Sequence, residues 1–420
     1  MSVKNIFYAQ SGGATAVINA TAAGVIETAR ANSDKIGTVY AGRNGILGAL
    51  KEELIDTSLE SEADIAALRH TPSSAFGSCR YKLNDINKDD SQYRRLIEVF
   101  KAHNIGYFFY NGGNDSQDTA YKVSQISERL GYPLTCLGLP KTIDNDLAGT
   151  HCCPGFGSVA KYIGVSTKEA ALDIKGMCET STKIFILEAM GRHAGWIAAA
   201  AGLAAEKEGD APHIILFPEI AFDKQKFLDR VKKTVEKEGY CVIVASEGTR
   251  NADGSFLQEG GLTDAFGHAQ LGGVAPFLAE MIKQAHGYKY HWAVADYLQR
   301  AARHVASKTD VEQAYAIGKK AVECAIRGDN NIMLSIENKP ADNQWWSIGT
   351  AKLADVANVE HTMPKDFISN DGFSITDKCR AYLTPLVEGE SYPPYQAGMP
   401  HYVILKNRLI TKRLESTFST

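Results

Sequence analysis

Residues 134–150 read LTCLGLPKTIDNDLAGT. From Leu134 to Leu139 the run is nearly all apolar, and it passes at once into Lys141, Thr142, Asp144, Asn145 and Asp146. A short apolar run closed by Pro and Gly reads as a buried strand of a parallel sheet. Asp, Asn, Gly and Pro after a strand are ordinary turn residues. Two carboxylates one residue apart repel each other, however, and a lysine just upstream relieves this only in part. The surrounding chain decides whether this is a turn alone or a turn that carries chemistry.

Working outward, the same strand-then-helix pattern recurs. NIFYA (5–9), IGYFFY (105–110), LTCLGL (134–139), KIFILEA (183–189), HIILF (213–217) and YCVIVAS (240–246) read as buried parallel strands. Helical patterns lie between them, near 15–31, 91–103, 116–130, 156–173, 192–205 and 223–238. The alternation predicts an α/β fold of two Rossmann-like domains with mostly parallel sheets and the active site in the inter-domain cleft. Residues 1–150 are expected to form the first domain, completed by a segment near 305–360, and 151–304 the second. Further helices are expected at 273–287 and 310–327, with a strand before Tyr297. The Pro-, Asp- and Asn-rich stretch 340–400 has no assigned structure, and 340–420 is read as a C-terminal extension. VILKNRL (403–409) suits either an edge strand or a docking tail.

Bulk properties narrow the function. The chain has 420 residues, 44% hydrophobic and 22% charged, with a formal net charge of −4. That balance argues against a broad nucleic-acid footprint and leaves room for a local basic pocket. None of the eight cysteines forms a CxxC pair, and Cys152-Cys153 are adjacent, which suits neither a metal knuckle nor an easy disulfide. MSVKNIFYAQSGG runs straight into a strand and is not a signal peptide. The longest apolar window, 196–205, is too short to span a bilayer. A cytoplasmic protein without membrane or nucleic-acid partners is expected.

Two more glycine-bearing turns follow strands. In QSGGATAVINATAAG, Gly12-Gly13 lets backbone N–H groups approach an anion ahead of a helix. In YNGGNDSQDTA, Gly112-Gly113 leads to Asn114 and Asp115, although Asp115 and Ser116 suit a plain helix cap as well. Ligands of open parallel sheets sit beyond the carboxyl ends of strands, so these turns and PKTIDND are placed to converge. With Arg80, Lys141, Arg192 and Arg300, and the carboxylates Asp115, Asp144 and Asp146, they suggest phosphate recognition with a carboxylate base and hydrated Mg²⁺.

In that order, GGNDS, PKTIDND, EAMGRHAG, SEG and YLQR resemble the phosphofructokinases, most closely their bacterial pyrophosphate-dependent branch. The match runs from residue 10 to about residue 325. The resemblance implies reversible phosphoryl transfer from pyrophosphate to the 1-hydroxyl of fructose 6-phosphate, serving glycolysis or gluconeogenesis, with no allosteric control expected. It puts the general base at Asp144, with Thr142, Lys141 and Asp146 beside it. It puts Met190, Gly191, Arg192 and Glu247 on the sugar phosphate, and Gly12, Gly13 and Arg80 on the phosphoryl donor. Asp115 and Lys141 stand where members using ATP usually carry glycine. A carboxylate intrudes on an α-phosphate, and a lysine adds a point charge for a small anion.

Three departures from the family pattern shape the expectation. The family's metal aspartate is Asn114 here, which leaves Asp115 and Asp146 to carry more of the Mg²⁺ site. The arginine that a neighbouring subunit supplies is replaced by Lys183, which meets a phosphate without bidentate geometry. GHAQLGG (267–273) resembles the family's GHxQRGG segment but has Leu271 at the arginine place. The substrate arginine is therefore assigned to Arg300, with Tyr297, Leu298 and Gln299 beside it and Arg303, His304 and Lys308 as candidate helpers. A homo-oligomer, with a dimer favoured, is implied. His193 reads as a packing residue. The alternatives are ATP as donor, a non-catalytic sugar-phosphate-binding subunit, and a dinucleotide-dependent dehydrogenase, which the absence of GxGxxG disfavours.

Overall fold

The computed structural model describes residues 3–263, 269–341 and 344–418. It divides into two compact units, each assembled from separated stretches of chain. The first unit comprises residues 1–155, 310–361 and 391–420, and the second 156–309 and 362–390. The stretch 340–420 is therefore shared out: its beginning and end belong to the first unit and its middle to the second.

In chain order the strands are β1 (Lys4–Gln10), β2 (Ile36–Gly42), β3 (Leu54–Asp56), β4 (Ile105–Gly112) and β5 (Thr135–Pro140), then β6 (Ile184–Ala189), β7 (Ile214–Leu216) and β8 (Cys241–Ser246). There follow a hairpin, β9 (Glu259–Thr263) with β10 (Ala269–Leu271), then β11 (Tyr290–Val294), β12 (Ile332–Glu337) and β13 (Ser347–Lys352). The first unit's sheet runs β13-β12-β5-β4-β1-β2-β3. Its centre is parallel, and β3 and β13 close the two ends antiparallel. The second unit's sheet, β11-β6-β8-β7, is parallel throughout.

These strands form where bulky apolar residues can be buried on both faces. In the first unit the rings of Phe7, Phe100 and Phe108 pack together, with Phe7 and Phe108 stacked at 5.8 Å. Full burial of one such ring is worth about 2 kcal/mol. In the second, Ile184, Ile186 and Ile243 pack against Phe227 and Leu278 of the flanking helices. Local signals set the helix ends: Asp223 caps helix Lys224–Glu238 by accepting from Lys226 N at 3.0 Å, and Gly239, at φ 86°, stops it.

Two expectations need correcting. The helix expected over 192–205 is confined to Trp196–Ala200 plus a 3₁₀ turn, Ala201–Ala204, which leaves Arg192 and His193 in the preceding turn. The helix after Gly112-Gly113 starts at Asn114 with Gly113 as its N-cap and no side-chain cap, so Asp115 and Ser116 lie inside it. VILKNRL docks as a tail along the outer side of β3. Arg408 O accepts from Asp56 N at 2.9 Å, and Ile410 N donates to Leu54 O at 2.9 Å. Arg95 donates to Oγ and O of Ser416, both at 2.8 Å.

Candidate active site

Three turns at the carboxyl ends of β1, β4 and β5, adjacent in the first unit's sheet, meet at Lys141. Its backbone N donates to Gly112 O at 3.2 Å, and its Nζ to Gly13 O at 2.7 Å. A methyl group on Gly12 would lie 3.4 Å from Nζ, and one on Gly113 3.8 Å from the Lys141 carbonyl. Gly12 has φ 72°, a left-handed conformation that a side chain would strain. Lys141 itself is only 5% exposed, so a cation is held within a ring of backbone turns. Helix Ile18–Ala31 begins only beyond this turn, whereas helix Asn114–Arg129 starts directly from Gly113, so loop amides, that helix N-terminus and Lys141 provide the anion-attracting character.

Arg80 is exposed and follows a segment bound to the Gly12 turn. Gly12 N donates to Cys79 O at 3.0 Å, and Ser78 Oγ to Gly12 O at 2.7 Å. Asp115 faces Lys82, with Nζ 3.7 Å from Oδ1. Sequence reasoning passed over Lys82; its place two residues beyond Arg80 is the only signal that pointed to it.

The TIDND turn is braced from several sides. Asn145 adopts φ 55°, and its buried Oδ1 accepts from Cys153 N at 2.9 Å. Thr142 Oγ1 accepts from Asp144 N at 3.1 Å. Thr142 bridges to Gly155, whose N donates to Asp310 Oδ1 at 2.8 Å. His361 N donates to Asp146 O at 2.7 Å. Burial, reinforced by the neighbouring Asp144, holds the Asp146 carboxyl above the usual carboxylate range, although Thr142 hydrogen-bonds to it. The adjacent Cys152 and Cys153 are buried thiols that burial pushes up, and Cys153 serves the turn through its backbone.

The fit to a hard divalent cation can be tested here. The buried Oδ1 atoms of Asn114 and Asp146 have no hydrogen-bond partner among the described residues. Oxygen atoms of that kind suit Mg²⁺. A charge beside Asp146 would also relieve its burial.

The second unit builds its group at the carboxyl ends of β6 and β8. Gly191, at φ 134°, donates its N–H to Glu247 Oε1 at 3.3 Å, and its carbonyl accepts from Ser246 Oγ at 2.6 Å. A side chain on Gly248 would strike the carbonyls of Gly191 and Arg192, so MGR and SEG require glycine where they touch. Burial raises the Glu247 carboxyl, and Arg192 acts in the opposite direction. Gln299 Oε1 accepts from Met190 N at 3.3 Å, which joins YLQR to the same group. Arg300 lies 3.9 Å over the Tyr297 ring, while Tyr297 and Leu298 are 62% and 66% exposed.

Not every predicted residue joins in. Lys183 precedes β6, at the opposite end from Met190, and its Nζ donates to the carbonyls of Cys178 and Glu179. Arg303 is fully buried, whereas His304 and Lys308 are exposed. Of GHAQLGG, Gly267 and His268 lie outside the described residues. Gly273 N and Ala275 N donate to Glu188 at 3.1 and 2.8 Å, so this glycine pair opens helix Val274–His286 over a capping carboxylate.

Residues 5–325 match the family model described as phosphofructokinase. A pyrophosphate–fructose 6-phosphate 1-phosphotransferase of Halomonas elongata is 63% identical over 414 residues, covering 99% of both chains. One from Methylococcus capsulatus is 62% identical over 419 residues, covering all of both. The crystal structure of a pyrophosphate-dependent phosphofructokinase from Marinobacter aquaeolei superposes over the full length of both chains with a TM-score of 0.91 at 62% identity. With its strand-end turns assembled as described and the match running from β1 into the helix Lys308–Arg327, the chain belongs to the phosphofructokinase family.

Proposed function

We propose that the protein transfers a phosphoryl group reversibly from inorganic pyrophosphate to the 1-hydroxyl of fructose 6-phosphate. The oxygen of that hydroxyl bonds to the terminal phosphorus, the bond to the bridging oxygen breaks, and fructose 1,6-bisphosphate and orthophosphate leave. The observation that carries the reading is the Lys141 ammonium, held against Gly13 between the Gly12 and Gly113 turns. A compact charge so enclosed suits a small, highly charged anion better than a nucleotide, and Asp115 adds repulsion where an α-phosphate would lie.

In this reading Gly12, Gly13, Arg80 and Lys82 meet pyrophosphate. Asp144 takes the hydroxyl proton, with Thr142 fixing its backbone. Met190, Gly191, Arg192, Glu247 and Gln299 hold the sugar phosphate with Tyr297, Leu298 and Arg300. Asn114, Asp115 and Asp146 would hold Mg²⁺, which when bound neutralises charge on the transferred group's oxygens. Lys183 is assigned to the sugar phosphate of a second copy in a homodimer. Trp292, Val294, Tyr297 and Leu298, exposed on and beyond edge strand β11, favour such self-association. No helix among the described residues is long and apolar enough to cross a membrane, and a cytoplasmic site of action fits this substrate pair.

The deciding experiment is a coupled assay with fructose 6-phosphate and Mg²⁺, comparing pyrophosphate with ATP at equal concentration. Turnover with pyrophosphate alone is expected. Turnover with ATP alone would leave the base assignment standing and overturn the donor; silence with both would favour a sugar-phosphate-binding subunit.

A further inference from the structure

Residues 71–79, which lead into Arg80, contain no helix or strand, so scattered backbone contacts and side-chain hydrogen bonds fix their course. One buried amide makes three of those bonds. Asn19, in the first turn of helix Ile18–Ala31, donates through Nδ2 to Thr71 O at 2.9 Å and to Pro72 O at 3.3 Å. Its Oδ1 accepts from Ala75 N and from Gln10 Nε2, both at 3.0 Å. Gln10, the last residue of β1, completes the pattern by accepting from Phe76 N at 3.4 Å. Both donors and both lone pairs of the Asn19 amide are thus engaged.

That arrangement does little for the helix. Asparagine is a poor helix former, and burying an amide is unfavourable unless every polar atom finds a partner. Its partners lie in segment 71–76 and at the strand end that opens into Ser11-Gly12-Gly13. A few residues on, the same segment grips the Gly12 turn through Ser78 and Cys79. We infer that Asn19, together with Gln10, is a positioning residue for the pyrophosphate subsite: it locks segment 71–79 to the glycine turn and so fixes Arg80 against the donor. This rests on the assignment of Arg80 to pyrophosphate made above.

The test is a double-mutant cycle with Asn19→Ala and Arg80→Ala, reading KM for pyrophosphate, KM for fructose 6-phosphate, kcat and thermal melting. Asn19→Ala is expected to raise KM for pyrophosphate 10- to 100-fold, leaving kcat and KM for the sugar phosphate within about twofold. In the Arg80→Ala background it should add almost nothing. Should Asn19→Ala fail to fold, Asn19→Asp, which keeps both acceptor contacts and loses both donors, takes its place in the cycle. An unchanged pyrophosphate KM in a folded Asn19 variant, or effects that multiply in the double variant, would overturn the inference. No effect from Arg80→Ala alone would instead overturn the underlying assignment, and the inference with it.

Discussion

At the scale of single residues, two carboxylates of one turn have been given different surroundings. Both are half-buried, but Asp144 has its backbone anchored by Thr142, whereas Asp146 is backbone-clamped by His361, has its Oδ1 enclosed and has its carboxyl raised by desolvation. Asp144→Asn should lower kcat about 10³-fold, the size of effect usual for a positioned base. Calorimetry should show pyrophosphate and fructose 6-phosphate binding within a few-fold of wild type; a loss of turnover under tenfold would remove Asp144 from that role. Asp115→Gly combined with Lys141→Gly should raise turnover with ATP and cut turnover with pyrophosphate at least tenfold. ATP use that stays flat in a folded double variant would refute the filter. Elsewhere His213 is buried, accepts from Val242 N at 3.0 Å, and burial pushes its imidazole from 6.5 down to about 4. The folded state therefore favours the neutral ring. The stability it contributes is complete above pH 6.5 and fades as the pH falls from there toward 4. Relative to His213→Gln, wild type should lose about 2 kcal/mol between pH 7 and 5, read by urea unfolding. The meeting of the glycine turns at Lys141 was legible because charge and Gly cluster right after apolar runs. Lys82 and the bracing role of His361 were not: one is a surface lysine among many, and the other acts through its backbone.

At the scale of elements, strands with continuous apolar runs were legible, whereas β2, β12 and β13 were not. IGTVYAG and SIGTAK carry glycines and small residues that obscure a strand, and IMLSIE follows a long helix in a region without clear rhythm. The shortened helix at Trp196 has a related cause. Alanine runs favour helix, but Gly191 and Gly195 belong to a turn shaped by Ser246, Glu247 and Glu219. Lys183 illustrates how one residue can serve two elements. Its ammonium closes the carbonyl end of helix Phe156–Met177, a favourable place for a cation. Lys183→Ala should lower Tm by a few degrees through that end alone. Only if a second copy presents it to the sugar phosphate will KM for fructose 6-phosphate also rise, by about tenfold, and an unchanged KM would reduce Lys183 to its capping role.

At the scale of the whole molecule, the sequence pointed to two α/β units and to a segment near 305–360 returning to the first, but not to 362–390 joining the second or to a further return of the chain's last stretch. Nothing in a local pattern says that residues 391–420 return to the first unit. The tail is secured there by polar contacts at buried sites. Glu52, fully buried beside His103 at 2.6 Å, accepts from Arg413 N at 2.6 Å, while Arg95 holds Ser416. Arg95→Ala should cost about 2 kcal/mol, a drop in Tm of roughly 4–8 °C, with kinetics near wild type in the folded protein. A melting curve unchanged from wild type would mean that the tail is held without it.

The order of synthesis gives this tail another significance. A ribosome delivers β3 early and Arg408 only about 350 residues later, on the order of 20–70 s at ordinary elongation rates. Throughout that interval the outer side of β3 presents unpaired backbone groups to any neighbouring nascent chain. The first unit is thus begun first and finished last. Its yield in a cell will depend on how crowded the polysome is and on what shields that edge until the tail arrives.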